Sequence, residues 1–226
     1  PRCGITRIAN ITGLDRVGVP VYTAIRPNSR ALSTSQGKGM DRDAARASAL
    51  MEAFESWHGE RVSADGGYYR REEAEDENGI PVADVGRISR RGRDVSWLSS
   101  TRINWVRGLD VMSGVAVLLP YDCVSSDFTG DVQRVAFIRS TNGLASGNTL
   151  TEATLHGLYE VIERDAVALW SPSAGTADRV VDPGTVHDED NAALLDRLAD
   201  AGLGVLIRDV RCDTRVPVFA VAIAPT

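Results

Sequence analysis

The spacing of apolar residues predicts three amphipathic helices. Apolar residues recur every three to four positions over 41–61, 150–170 and 189–201, the period of a helix with one apolar side. Asp41 is placed to cap the start of the first helix, and Gly202 closes the third. The apolar side of the first helix comprises Ala47, Leu50, Met51, Phe54 and Trp57, and that of the second Leu155, Leu158, Tyr159, Ile162, Ala166 and Leu169.

Runs rich in β-branched and aromatic residues predict strands between these helices. The predicted strands are 17–25, 103–109, 115–121, 133–140, 203–210 and 216–224. Residues 110–114 join two of them as a hairpin. The stretch 63–95 is polar and predicted to be irregular, and its acidic run "REEAEDENG" is typical of a solvated face. The mixture predicts an α+β fold.

Composition narrows the class of protein. The 226 residues carry a net charge of −6 and no basic block, so no nucleic-acid partner is expected. No apolar run is long enough for a membrane span. The three cysteines, Cys3, Cys123 and Cys212, are far apart, which favours a reducing cytoplasm over a disulfide framework. We expect 1–226 to be a single domain that lacks its C-terminal portion, because the chain stops after an apolar strand.

Two helical segments repeat a pair of glutamates at a fixed offset. "LMEAFES" at 50–56 and "LYEVIER" at 158–164 lie 108 positions apart. The matched pairs are Gly39 and Gly147, Ala45 and Ala153, Leu50 and Leu158, Glu52 and Glu160, and Glu55 and Glu163. Each copy is predicted as a strand, a glycine loop and a helix. This indicates two related halves with pseudo-twofold symmetry.

Helical geometry places the acids of each copy on one flank. At about 100° per residue, Glu52 and Glu55 lie within about 60° of each other. Glu152, Glu160 and Glu163 share a flank of about 80° on the second helix. Facing each other across a cleft, the two flanks would present five carboxylates. Mg²⁺ prefers such oxygen ligands and commonly bridges them to phosphates. Ser48 falls between Glu52 and Glu55 on the first helix. Further contacts to phosphate or nucleoside are available from Asn148, Lys38 and Arg164.

Simpler interpretations stay open for each of these residues. Glutamate pairs are common on solvated helix faces. Glu152 with Thr149 also forms a Thr-x-x-Glu capping box, and Arg164 has Asp165 and Glu160 as nearby ion-pair partners. The three histidines, His58, His156 and His187, share no metal-ligand spacing, and the first two are interpreted as helix-surface or helix-interface residues. No Walker A, G-x-G-x-x-G or G-x-S-x-G motif is present.

Three spaced patterns make the chain resemble the YcaO family of ATP-dependent enzymes that modify peptide backbone amides. They are Ser-x-x-x-Glu-x-x-Glu, Asn-x-x-x-Glu and Glu-x-x-Glu-Arg, found here as Ser48, Glu52 and Glu55, as Asn148 and Glu152, and as Glu160, Glu163 and Arg164. The resemblance covers nearly the whole chain. The N-terminal stretch "GITRIANITGLDRVGVPVYTAIRPNSRALSTSQGKG" is similar to the TfuA-associated branch in particular.

The resemblance implies a YcaO-type fold whose two halves enclose a carboxylate-lined nucleotide cleft. It implies that the five glutamates hold Mg²⁺ ions, which hold ATP, and that Ser48, Asn148 and Arg164 contact the nucleotide. Arg7, on the first strand, is a weaker candidate. The implied reaction phosphorylates a peptide amide oxygen after attack by a nucleophile. External sulfide gives a thioamide, towards which the TfuA-associated branch leans, and a Cys, Ser or Thr side chain gives an azoline. A peptide substrate, a TfuA-like partner and a homo-oligomer are expected.

Two other functions remain open at this point. One is a non-catalytic peptide-binding or scaffold protein that retains the YcaO shell, and the short chain favours it. The other is an unrelated Mg²⁺–nucleotide enzyme such as a ligase, against which the three matched patterns argue.

Overall fold

The computed structural model describes residues 3–87, 96–130, 137–170 and 179–226. Its four α-helices are α1 (Arg42–Gly59), α2 (Arg71–Asn78), α3 (Leu150–Leu169) and α4 (Glu189–Asp200). The strands are β1 (Arg7–Asn10), β2 (Val21–Ile25), β3 (Thr34–Lys38), β4 (Gly67–Tyr69), β5 (Ile103–Leu109), β6 (Ala116–Pro120), β7 (Arg179–Val181), β8 (Leu203–Asp209) and β9 (Phe219–Pro225). They form three antiparallel three-stranded sheets, in the orders β1-β2-β3, β4-β5-β6 and β7-β8-β9.

The chain divides into two compact units. The first unit comprises Pro1–Gly4, Arg26–Ser33 and Phe54–Thr141, and the second comprises Ile5–Ile25, Thr34–Ala53 and Asn142–Thr226. Because segments of the two units alternate along the chain, the start of α1 and the whole of α3 both belong to the second unit. The prediction of one domain over 1–226 stays a prediction.

In the second unit, one face of the β1-β2-β3 sheet packs against α1 through very small side chains. Ala24 of β2 is buried with Ala49 and Ala53 of α1. A Cβ at Gly37 of β3 would lie 2.0 Å from the backbone nitrogen of Ala49, so strand and helix are in backbone contact there. The buried stripe of α1 therefore follows Ala45, Ala49 and Ala53. The predicted stripe was wrong in part, since Ala47 and Met51 are exposed.

The first unit has the β4-β5-β6 sheet and the largest apolar core. Trp105, Leu98 and Leu118 are fully buried in it. The prediction that 63–95 is irregular was wrong for the part that forms β4 and α2, and its residues 88–95 lie outside the described residues. The acidic run forms α2, whose single buried residue is Ala74. The acids of α2 are solvated, as expected. Because only one residue of the helix is buried, the sequence contains no apolar periodicity that would predict it.

A buried ion pair in the first unit also escaped sequence analysis. Arg26 donates two hydrogen bonds to the carboxylate of Glu60, at 3.2 Å and 2.7 Å. The side chains are 3% and 0% exposed. Ser29 donates to the same carboxylate, and the Arg26 Nε donates to the Cys3 carbonyl at 3.0 Å. Burial opposes ionisation of Glu60, but the bonds from Arg26 and Ser29 outweigh it and lower the pKa of Glu60.

The β7-β8-β9 sheet of the second unit packs against α3. Ala166 of α3 is buried with Val210 and Val218. Leu155 and Leu158, from the predicted apolar side of α3, are exposed. The strand β9 has a strand neighbour only on its β8 side among the described residues, and Phe219, Val221 and Ile223 on one of its faces are about half exposed.

Most predicted elements are confirmed, with shifted ends. The three helices start and end within two residues of their predicted limits, and β5 and β6 form the expected hairpin across Asp110 and Gly114, joined by a 2.8 Å backbone bond. The predicted glycine loop at 37–39 instead begins within β3. Of the strand predicted at 133–140, residues 133–136 lie outside the described residues, and 138–140 form no strand. No described helix has the length and apolarity that a membrane span requires.

Candidate functional site

The two helices that carry the repeated glutamates start in the same way, 108 residues apart. Asp41 caps α1 by accepting a 2.8 Å hydrogen bond from the Ala44 backbone N–H. Thr149 caps α3 by accepting a 3.1 Å bond from the Glu152 backbone N–H. Such caps satisfy backbone donors that a helix start leaves unpaired. The repeat in sequence is therefore a repeat in local structure at these two points.

The matched glycines make the same close contact. A Cβ on Gly39 would lie 2.6 Å from the Ala45 backbone nitrogen, and one on Gly147 would lie 2.6 Å from the Ala153 backbone nitrogen. Neither position has space for a side chain. Each glycine thus allows the chain to fold tightly onto the first turn of its helix, which sets where that helix begins. The twofold relation of the whole halves stays a prediction.

Glu52 is held against the edge of β3. Its carboxylate accepts a 3.0 Å hydrogen bond from the Gln36 backbone N–H. Gln36 belongs to the outer strand of its sheet, and its N–H points away from β2, because the neighbouring Ser35 and Gly37 make the ladder bonds. The bond uses one lone pair of the carboxylate, and Glu52 remains exposed.

Asn148 and Glu152, predicted from one pattern, contact each other. The Glu152 carboxylate accepts a 2.9 Å bond from the Asn148 backbone N–H and a 3.1 Å bond from its side-chain amide. The capping-box interpretation is therefore close to correct, although the carboxylate reaches the residue before the cap and not Thr149 itself. Both side chains are exposed, so a ligand can compete for the carboxylate.

Glu160, Glu163 and Arg164 open onto one cavity of the second unit. The cavity has a volume of about 620 Å³ and lies between α3 and residues 216–219. Arg164 forms a loose 3.4 Å ion pair with Glu160, one turn before it, as sequence analysis allowed. The guanidinium is 59% exposed, so the pair holds it weakly and leaves it free to meet an anion.

The remaining predicted residues lie on two other surfaces. Ser48 is exposed on α1, one turn before Glu52, and Glu55 is half-buried in the part of α1 that belongs to the first unit. Arg7 pairs with Ile25 and Lys38 with Val21, so the two cations stand at opposite ends and on opposite sides of β2, with their Cα atoms about 16 Å apart. Both lie on the exposed face of this sheet, opposite to α1.

None of the five predicted glutamates belongs to a described group of three or more metal-ligating side chains with donor atoms close together. In the described part of the chain, one group of three metal-ligating side chains has donor atoms within 4.8 Å of one another, and it comprises Asp165, Cys212 and Asp213. Exposed carboxylates of like charge stay apart without a cation between them. Their oxygens, together with the Asn148 amide, still fit Mg²⁺, which accepts hard oxygen ligands from separate side chains and from phosphate.

His156 also lines the cavity, together with Glu160 and Glu163, and the sequence did not predict it as a site residue. Its exposure agrees with the prediction of a helix-surface residue. The detectable signal was the spacing, because residues at i, i+4 and i+7 share one helix face.

Comparison with known proteins identifies the family. The profile of the YcaO family, described as ATP- and Mg²⁺-binding cyclodehydratases, matches residues 36–225. An uncharacterised protein encoded in the tfuA 3′ region of Rhizobium leguminosarum bv. trifolii is 40% identical over 225 residues. The alignment covers 98% of this chain and 52% of that protein. The chain therefore belongs to the YcaO family.

Solved structures agree with this fold. YcaO from Methanopyrus kandleri, bound with AMPPCP and Mg²⁺, superposes with a TM-score of 0.60 at 23% identity, over 99% of this chain and 58% of that one. A heterocyclase in complex with substrate and cofactor gives a TM-score of 0.69 at 22% identity, over 97% of this chain and 32% of that one. The α+β, YcaO-type fold is confirmed. The chain spans about half the length of the curated relatives it matches.

Proposed function

We propose that the protein uses ATP and Mg²⁺ to activate a peptide backbone amide by phosphorylating its oxygen. The observation that carries the proposal is the spaced set of Glu160, Glu163 and Arg164, which opens onto one cavity in a chain of this family. Asn148 with Glu152, at the start of α3, and Ser48 with Glu52, further along α1, supply additional carboxylate and polar groups.

In this proposal the glutamates hold the metal and the polar residues hold the nucleotide. Glu52, Glu55, Glu152, Glu160 and Glu163 would hold Mg²⁺, which would supply the positive charge that neutralises a transferred phosphoryl group. Arg164 leaves its loose pair with Glu160 and donates to phosphate. Ser48 and Asn148 orient the nucleotide, with Lys38 and Arg7 as further cations. The protein thereby positions the γ-phosphate beside the amide oxygen.

We further propose thioamidation with an external source of sulfide as the specific reaction. The relative from the tfuA region supports this choice, and it supports a TfuA-like protein as partner. Azoline formation is the second candidate, favoured by the cyclodehydratase description of the family. A homo-oligomer and a cytoplasmic location complete the proposal. All three cysteines are free thiols, as a reducing compartment requires.

Peptide mass separates these reactions. The full-length protein is incubated with candidate peptides, ATP, Mg²⁺, sulfide and its partner protein. Exchange of oxygen for sulfur adds about 16 Da, and loss of water on ring closure removes about 18 Da, according to the nucleophile used. No mass change with any peptide, together with retained peptide binding, would instead favour the scaffold function.

The Glu160→Gln variant tests the role of the metal ligands. The change keeps the shape of the side chain and removes one charge, so ATP-dependent modification and phosphate release should fall by about 100-fold or more. Glu77→Gln, at an exposed position of α2, is the matched control and should keep full activity. Full activity of Glu160→Gln would show that Glu160 is not a metal ligand.

A further inference from the structure

His156 faces the cavity of α3 in a defined tautomeric state. Its Nδ1 lies 3.1 Å from the backbone carbonyl oxygen of Ser146. A carbonyl oxygen only accepts hydrogen bonds, so Nδ1 must carry the hydrogen. In the neutral ring the other nitrogen, Nε2, is then an acceptor with a free lone pair. The loop before α3 therefore fixes which nitrogen of His156 is available to a ligand.

The ring stands among the charged residues of the cavity. Along α3, His156 precedes Glu160 by one turn, about 6 Å, and on the helical wheel it falls between Glu160 and Glu163. Among the described residues that line the cavity, the acids and the arginine come from α3, namely Glu160, Glu163 and Arg164. The opposite wall, 216–219, offers apolar side chains only, and the loop 142–149 contains no charged residue.

The Nε2 lone pair of the neutral ring allows His156 to accept a hydrogen bond from a molecule in the cavity. Because His156 lines the same cavity as Arg164, Glu160 and Glu163, a molecule held there by these residues would lie beside the imidazole ring. An O–H or S–H group on that molecule could donate a hydrogen bond to His156, the imidazole among the residues that line the cavity.

We propose that His156 accepts the proton of the attacking nucleophile, a role that rests on the function proposed above. As the nucleophile attacks, a bond forms from sulfur or oxygen to the amide carbon, and its proton passes to Nε2. The π pair of the carbonyl moves to the amide oxygen, which takes the γ-phosphoryl group while ADP leaves. The Ser146 carbonyl stabilises the ring as it becomes positively charged, because Nδ1–H is already hydrogen-bonded to it.

The tautomer is tested first, without reference to activity. The protein has three histidines, so ¹⁵N-histidine labelling gives a simple spectrum, and the His156→Asn variant assigns the signal. Two-bond ¹H–¹⁵N correlation spectra of the full-length protein should show His156 as the Nδ1–H form, with Nε2 bare. A predominant Nε2–H form would overturn the proposal, since no acceptor would then face the cavity.

Activity is tested next with two substitutions, His156→Asn and His156→Gln, that separate the ring nitrogens. His156→Asn keeps an amide N–H near the position of Nδ1 and removes Nε2, so kcat for peptide modification should fall by about 100-fold or more while the Kd for Mg²⁺–ATP stays within about twofold. Added imidazole should restore part of the lost rate. His187→Asn, at an exposed position away from α3, is the control and should behave as the wild type.

The outcomes show whether His156 accepts a proton, has a structural role or has no role in the reaction. A His156→Asn variant with full kcat overturns the proposal. Equal losses of kcat in His156→Asn and His156→Gln without imidazole rescue would assign a structural role to the ring and also overturn it. If the wild type binds Mg²⁺–ATP but modifies no peptide, the proposed reaction fails and this role fails with it, while the spectrum still reports the tautomer.

Discussion

The guanidinium of Arg26 and the carboxylate of Glu60 form a two-bond ion pair closed off from water. The pair joins the loop after β2 to the residue that follows α1, and Arg61 also contacts the Glu60 carboxylate at 3.2 Å. A buried pair of this kind is costly to break on one side, because the remaining charge is left without a partner.

Glu60→Gln should therefore destabilise the protein by about 3–5 kcal/mol, the range for an uncompensated buried charge. Urea denaturation followed by circular dichroism would measure the change in the free energy of unfolding. Glu77→Gln removes an exposed carboxylate and should leave that free energy within about 0.5 kcal/mol of the wild type. Equal stability of the two variants would contradict the buried pair.

The same pair predicts a pH dependence of stability. The pKa of Glu60 lies below its ordinary value of 4.5 in the folded protein, so the unfolded chain binds its proton more readily. This contribution to stability is present above pH 4.5 and is lost as the pH falls through the lowered pKa. Thermal melts from pH 7 to pH 3 should show a steeper loss in the wild type than in Glu60→Gln. Parallel curves would argue against Glu60 as the source.

Gly147→Ala should destabilise α3, because its Cβ would lie 2.6 Å from the backbone nitrogen of Ala153. Overpacking of this kind costs about 1–3 kcal/mol. Gly39→Ala should cost a similar amount at the matched start of α1. Gly130→Ala is the control, since its nearest contact, with Arg139, is an ordinary 3.7 Å. Chemical denaturation of the three variants gives the comparison, and a neutral Gly147→Ala would show that the close contact is absent.

Binding of ATP should require Mg²⁺. The glutamates of the candidate site carry negative charge, as does the triphosphate, so the two repel each other without a cation. Calorimetry of the full-length protein should give binding with ATP and Mg²⁺, and none with ATP and a chelator. The same affinity under both conditions would exclude a bridging role for the metal.

Local signals in the sequence predicted local structure well. Asp41 and Gly202 marked helix ends, and the repeated glycines marked two helix starts that share one geometry. The buried stripe of α1 was predicted less well. Alanine is weakly apolar, so the larger Leu50 and Phe54 dominate the pattern, whereas backbone contact with Gly37 selects Ala45 and Ala49 for burial.

Contacts between distant segments could not be predicted. Arg26 and Glu60 are ordinary charged residues in sequence, and only the fold brings them together. The candidate site contains one contact within a local motif and one between distant segments. The contact of Asn148 with Glu152 follows from a local motif, whereas the cavity beside Glu160 depends on residues 216–219, more than fifty positions further along the chain.

Among the described residues, no strand pairs with the edge of β9 that faces away from β8, and this edge affects how the isolated chain behaves in solution. Without such a neighbour, this seven-residue apolar strand offers backbone hydrogen-bonding groups to the edge strand of another molecule. Phe219, Val221 and Ile223 add apolar surface on one face of that strand. Self-association of the isolated chain through this strand should therefore increase with concentration, which light scattering of the folded chain would measure.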